Sequence, residues 1–154
     1  LVITEIQDDP RGRDTDREYV ELWNRGEAAL DIDGWWLQNC ADRTVELSGR
    51  IGPGEYFVVA GSRNRNENGG LSAGGELGEL QLSNGKGSVL VFNDRGELVD
   101  QVRYDDSMPW PERESGQSLE LTAPGGDNSN GATWTGGRNE YGPGGRGSPG
   151  RSWR

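Results

Sequence analysis

Large apolar residues along this chain recur at every second position over short stretches, with glycine, proline, asparagine and aspartate between the stretches. No stretch of about a dozen residues shows a helical period, so the pattern predicts strands joined by turns. Residues 1–7 form the first strand segment. Residues 18–24 alternate, with Val20 and Leu22 on one face and Tyr19, Glu21 and Trp23 on the other. Residues 30–39 carry Leu30, Ile32, Trp35 and Leu37 around a bend at Asp33-Gly34, and residues 44–48 turn Val45 and Leu47 to one side. After the Pro53-Gly54 turn, residues 55–60 are apolar on both faces, as are residues 88–92, which is what a buried strand requires. Leu80 and Leu82 alternate around Gln81, and Asn84-Gly85 is a hairpin-type turn. Asn93-Asp94-Arg95-Gly96 is a hairpin loop leading into residues 97–104, which place Leu98, Asp100, Val102 and Tyr104 on one face. Residues 117–121 turn Leu119 and Leu121 inward. About eight strands at this spacing predict an all-β sandwich or barrel.

Composition alone points elsewhere. Hydrophobic residues make up 31% of 154, and the net charge is −10. So few large apolar residues with so much charge fall in the range of disordered chains. Their placement argues otherwise, because almost all of them fall inside strand segments. One domain over residues 1–135 is therefore expected. Residues 136–154 are rich in glycine, proline and arginine and are expected to be a tail, disordered or draped on the domain. Trp134 is expected to pack on the sandwich, since tryptophan buries a large area when it docks; no position is assigned to Trp153.

Charge and missing residue types exclude several functions. The chain has no histidine, so a Ser-His-Asp or Cys-His triad and a histidine-ligated zinc site are excluded. Cys40 is the single cysteine and has no intramolecular disulfide partner. No apolar run approaches the length of a membrane span, so no membrane insertion is expected. The opening Leu1-Val2-Ile3 carries no leader-type segment, which fits a processed chain or a piece of a longer one. Residues 1–135 carry a net charge of −13 and residues 136–154 a net charge of +3. The acidic body would repel phosphate backbones, so nucleic acid is not an expected partner. Only one lysine, Lys86, stands among the 16 basic residues. An acidic, lysine-poor surface suits a salty or calcium-rich medium, although a base-composition bias toward arginine codons gives the same result.

Several segments, taken in order, resemble the bacterial lamin-tail domain (the intermediate-filament tail domain). They are Val2-Ile3-Thr4-Glu5-Ile6, Glu18-Tyr19-Val20-Glu21-Leu22-Trp23-Asn24, and Leu30-Asp31-Ile32-Asp33-Gly34-Trp35-Trp36-Leu37. Ile51-Gly52-Pro53-Gly54-Glu55-Tyr56 and Asn93-Asp94-Arg95-Gly96-Glu97-Leu98-Val99-Asp100 follow. Trp110-Pro111, Gly116 to Leu121, Asp127-Asn128-Ser129 with Trp134, and Gly147-Ser148-Pro149-Gly150 complete the series, which spans nearly the whole chain. The resemblance implies an immunoglobulin-like β-sandwich. It also implies a non-catalytic module of secreted or surface proteins, with a protein or cell-surface partner. The loop over residues 63–79 and the arginine-rich end depart from the family pattern.

Candidate chemistry lies in three places. Glu5, Glu18 and Glu21, with Asp8, Asp9, Asp14 and Asp16 between them, converge if the first two strands pair. Such a cluster suits calcium, a hard cation that takes oxygen ligands, or an acid/base pair, or simply a solvated acidic loop. Asp127, Asn128 and Asn130 offer a run of side-chain oxygens for a metal, calcium above all, against the plainer reading of an Asx turn. No cofactor is required. Trp23 and Trp36 point away from the core positions beside them and are the candidate binding residues. Asp100 shares a face with Val102 and Tyr104 and is expected to receive backbone N–H groups at a strand crossing. The expected function is a non-catalytic interaction module, part of a larger extracellular or cell-surface protein. The alternative is a calcium-dependent carbohydrate-binding module or an accessory domain of a secreted hydrolase or nuclease.

Overall fold

The structure is a computed structural model that describes residues 1–123 and 125–151. Trp153 therefore lies outside the described residues. In chain order the strands are β1 (Val2–Gln7), β2 (Tyr19–Trp23), β3 (Leu30–Asp31), β4 (Trp36–Asn39), β5 (Thr44–Glu46), β6 (Arg50–Ile51) and β7 (Tyr56–Ala60). Then follow β8 (Gly75–Glu76), β9 (Gly87–Phe92), β10 (Leu98–Tyr104), β11 (Leu119–Leu121), β12 (Trp134–Gly136), β13 (Glu140–Tyr141) and β14 (Gly145–Arg146). A single helical turn, α1 (Asp14–Arg17), precedes β2, and a 3-10 turn over Gly131–Thr133 precedes β12.

Two sheets carry the fold. One has the order β12-β11-β1-β2-β7-β8 and the other the order β10-β9-β4-β5. Pairing is antiparallel throughout both sheets except between β7 and β8. The period-2 pattern gives each sheet an inner face. Ile3, Ile6, Val20, Leu22, Val59, Leu119 and Leu121 come from the first sheet, and Leu37, Val89, Val91, Val102 and Tyr104 from the second, to form one core. This is the immunoglobulin-like β-sandwich that the resemblance implied, where the strand pattern left sandwich and barrel open. Trp110 and Trp134 enter the same core with their rings 5.9 Å apart. Asp100 ties the sheets together, its Oδ2 accepting the Ile3 N–H at 2.6 Å and the Asn128 amide at 2.7 Å.

Three expectations need correction. Residues 30–39 are two strands, because the Asp33-Gly34 turn sends β3 to pair with β6 while β4 joins β9 and β5. Leu80 and Leu82 are buried but lie on a loop; the Leu80 N–H bonds the Leu77 carbonyl and the Leu82 N–H bonds a Glu18 carboxylate oxygen. Their alternation marks burial without a ladder. In β10 the register against β9 shifts between Leu98 and Asp100, so Leu98 opposes Phe92 whereas Asp100 opposes Val91. This bulge flips Leu98 out of the row of Asp100, Val102 and Tyr104.

The six-stranded sheet is buried on its other face as well. After β12 the chain turns back across β11, β1 and β2. The Ser118 N–H bonds the Arg146 carbonyl, the Arg146 N–H bonds the Gly116 carbonyl, and the Gly147 N–H bonds the Asn139 carbonyl. Tyr141 meets the ring of Tyr19 edge-on at 5.7 Å, and Tyr19 joins Val58, Ala60 and Leu71 in a second apolar cluster. Gly147 passes so close to the sheet that a Cβ would run into Glu5 Oε1, Ser118 Oγ and the Tyr19 hydroxyl, which explains a glycine there.

Candidate functional site

The outer face of the four-stranded sheet exposes an apolar row. Register pairs Trp36 with Glu46 on one side and with Phe92 on the other, and Phe92 with Leu98. Glu46, Trp36, Phe92 and Leu98 thus cross β5, β4, β9 and β10 in line. Trp36 and Phe92 stack at 5.3 Å with their planes 15° apart. Leu98 is 46% exposed, one of two large hydrophobics so exposed among the described residues. Half-buried Leu90 lies in the next cross-strand row, between Gln38 and Gln101.

Trp23 sits on the opposite side of the molecule, on the outer face of the six-stranded sheet. It stacks on Tyr56 at 6.2 Å, and its indole N–H donates to the Gly54 carbonyl at 3.2 Å. The two tryptophans chosen from sequence therefore belong to different surfaces, with the whole core between them. Sequence alternation found Trp36 but missed Phe92 and Leu98 as its neighbours. The first needed the β4–β9 register and the second needed the bulge.

Asp127 and Asn130 use a side-chain oxygen on their own turn, whereas Asn128 works through its amide nitrogen. Asp127 Oδ1 accepts from the Ser129 N–H and hydroxyl, and Asn130 Oδ1 accepts from the Ala132 N–H. The Asn128 amide donates to the Ile3 carbonyl and to Asp100. Among the described residues no group of three His, Cys, Asp or Glu side chains is placed to hold a metal ion.

The acidic residues near the N-terminus separate into distinct environments. Asp8 forms a two-pronged ion pair with Arg113, at 2.6 and 3.0 Å. Glu18 accepts the Leu82 N–H at 2.9 Å, and burial pushes its carboxyl up to about 8. Asp14 and Asp16 lie in α1. Glu5 and Glu21 do converge, as register partners on β1 and β2, and Glu120 of β11 pairs with Glu5 from the other side. The chain reading missed Glu120, although it alternates with Leu119 and Leu121 as an outward residue should.

This row of three glutamates is almost wholly buried, with exposures of 1% for Glu5, 2% for Glu21 and 4% for Glu120. Glu5 Oε1 accepts from the Tyr19 hydroxyl, from the Ser118 hydroxyl at 2.6 Å and from the Ser148 N–H at 3.0 Å. Glu21 accepts from the Thr4 hydroxyl at 2.7 Å and the Gly150 N–H at 2.6 Å, and Glu120 accepts from the Ser148 hydroxyl at 2.5 Å. Glu5 Oε2 is buried with no hydrogen-bond partner. Burial first, and then the Glu120 charge, push the Glu5 carboxyl up to about 7. Burial and then Glu5 push Glu21 well up, and burial raises Glu120. The cavity beside the row measures about 10 Å³, room for one water. Such an arrangement can hold protons but cannot admit a substrate.

No curated protein matches the chain significantly. The family model for the Lamin Tail Domain matches residues 1–106, which covers β1 to β10 and ends before the later motifs at Trp110, Gly116 to Leu121 and Gly147 to Gly150. With more than half of its length matched in this way, and with the sandwich just described, the chain belongs to the Lamin Tail Domain family.

Proposed function

We propose that this domain binds a protein partner through the outer face of its four-stranded sheet, as one module of a larger secreted or cell-surface protein. Domains of this family are immunoglobulin-like and generally non-catalytic interaction modules. The observation that carries the reading is the outward-facing row of half-buried Trp36 and Phe92 with exposed Leu98, aligned across three strands. Aromatic side chains in contiguous apolar patches are typical anchors of protein interfaces. The net charge of −10 favours a partner whose apolar contact is rimmed by lysine and arginine. The acidic, lysine-poor composition supports an extracellular setting.

The test is capture by the immobilised domain from the secreted and surface proteins of the source organism. A protein retained by the wild type and by Trp23→Ala, but lost with Leu98→Arg and with Trp36→Ala, supports the reading. A central aromatic anchor is worth about 2 kcal/mol, a loss of roughly thirtyfold in affinity. Retention that ignores Leu98→Arg overturns it, provided that melting shows the variants folded.

A further inference from the structure

The glutamate row raises a question that its hydrogen bonds do not answer: what balances the charge. Glu21, Glu5 and Glu120 stand side by side on β2, β1 and β11, where directly opposed side chains approach to about 5 Å between Cβ atoms. Among the described residues none of the three is in an ion pair. The uncharged groups that face the row from the surrounding elements are Thr4, Tyr19, Tyr56, Ser118, Tyr141 and Ser148, and one cation, Arg151, lines the cavity beside it. Arg138 and Arg151 act on Glu120 only through the field, without a bond. Among the described residues no trio of carboxylates is placed to hold a metal. With no cation bonded to Glu5 or Glu21 among the described residues, protons are the counter-charge the geometry points to there.

The lid over this row is one short segment of chain. Ser148 bonds both Glu5 and Glu120, the Gly150 N–H bonds Glu21, and Gly147 lies flat on Glu5, Ser118 and Tyr19. Among the described residues, the segment's hydrogen bonds to the row come from Ser148 and Gly150 alone, whereas the sheet beneath is held by full ladders.

We propose that residues 147–150 form a proton-controlled strap, seated across β11, β1 and β2 while Glu5, Glu21 and Glu120 share protons, and lifted as the three carboxyls ionise. Ionised carboxylates accept N–H bonds more strongly, which works to hold the strap. Three like charges in a dry site work against it, and for each glutamate burial is the larger effect. Lifting the strap lets water reach all three at once. The sign follows from linkage. The seated state holds protons that the open state, with ordinary glutamates near 4.5, gives up. Seating is therefore full below about pH 4.5 and is lost as pH rises through about 7. The device does not depend on the contact face of the other sheet.

The test is hydrogen exchange of the Ser148 and Gly150 amides in the full chain, expressed as protection relative to intrinsic rates, at pH 5.5 and 8.5. The expected result is a fall of about tenfold or more at these two amides while β9 amides hold. Glu5→Gln with Glu21→Gln removes the fall, because an amide does not titrate; Glu18→Gln, remote from the strap, leaves it in place. If the double variant does not fold, carboxyl carbon shifts of the wild type decide, with a Glu5 midpoint of about 7 expected and those of Glu21 and Glu120 raised above the ordinary glutamate value. Protection unchanged between the two pH values, a loss shared equally by β9, or midpoints near 4.5 would each overturn the proposal.

Discussion

At the scale of single residues, burial sorts the many acidic side chains of this domain into groups with different roles. Asp8 and Arg113 are 0% and 8% exposed, and their two-pronged pair also gathers the Gly85 N–H and the Gln117 carbonyl. Removing one partner of a buried pair leaves an uncompensated charge. Arg113→Ala should therefore destabilise the domain by about 3–5 kcal/mol in denaturant titration. An exposed pair such as Arg43 with Glu79 should contribute no more than about 1 kcal/mol. Sequence placed Asp8 in an acidic loop with its neighbours. Its partner lies 105 positions away and carries no local signal. The bridging role of Asp100 was legible, because a carboxylate sharing the face of Val102 and Tyr104 must find donors, and it found Ile3 and Asn128.

At the scale of elements, alternation and turn residues located nearly all of the longer strands, since each carries its own period. What they left open was every feature that depends on a partner strand. The β10 bulge is visible only against β9, and it moves Leu98 from the expected core row to the outward-facing row with Trp36 and Phe92. The pair of leucines at 80 and 82 shows the opposite error, a two-residue pattern without ladder bonds. The polar face of β1, β2 and β11 reads as solvent-facing in the sequence, yet the chain crossing it makes it a second interior. Gly147 is the residue that permits that crossing. Gly147→Ala should cost about 1–3 kcal/mol, the usual range for overpacking, and should weaken protection at the adjacent Ser148 amide. Gly54→Ala, at a positive φ with open space around it, should leave Ser148 unaffected.

At the scale of the whole molecule, the scarcity of large apolar residues is met by dividing burial between two interiors. The first lies between the sheets and is apolar. The second lies under the C-terminal crossing and combines Tyr19, Val58, Ala60 and Leu71 with buried glutamates and hydroxyls. Residues 1–106, the part matched by the family, supply eight of the ten strands in the two large sheets. The remaining two, β11 and β12, close one edge, and the chain beyond them covers the polar face. The account thus rests on residues 137–151 being an integral layer of the fold. The direct measurement is the melting temperature, at pH 5.5, of a chain ending at Gly136 compared with the full chain. Loss of the layer uncovers Tyr19 and the glutamate row, and the shorter chain should melt lower by about 10 °C, the equivalent of roughly 3 kcal/mol at this size. A melting temperature that stays the same would contradict the account and make those residues an appendage.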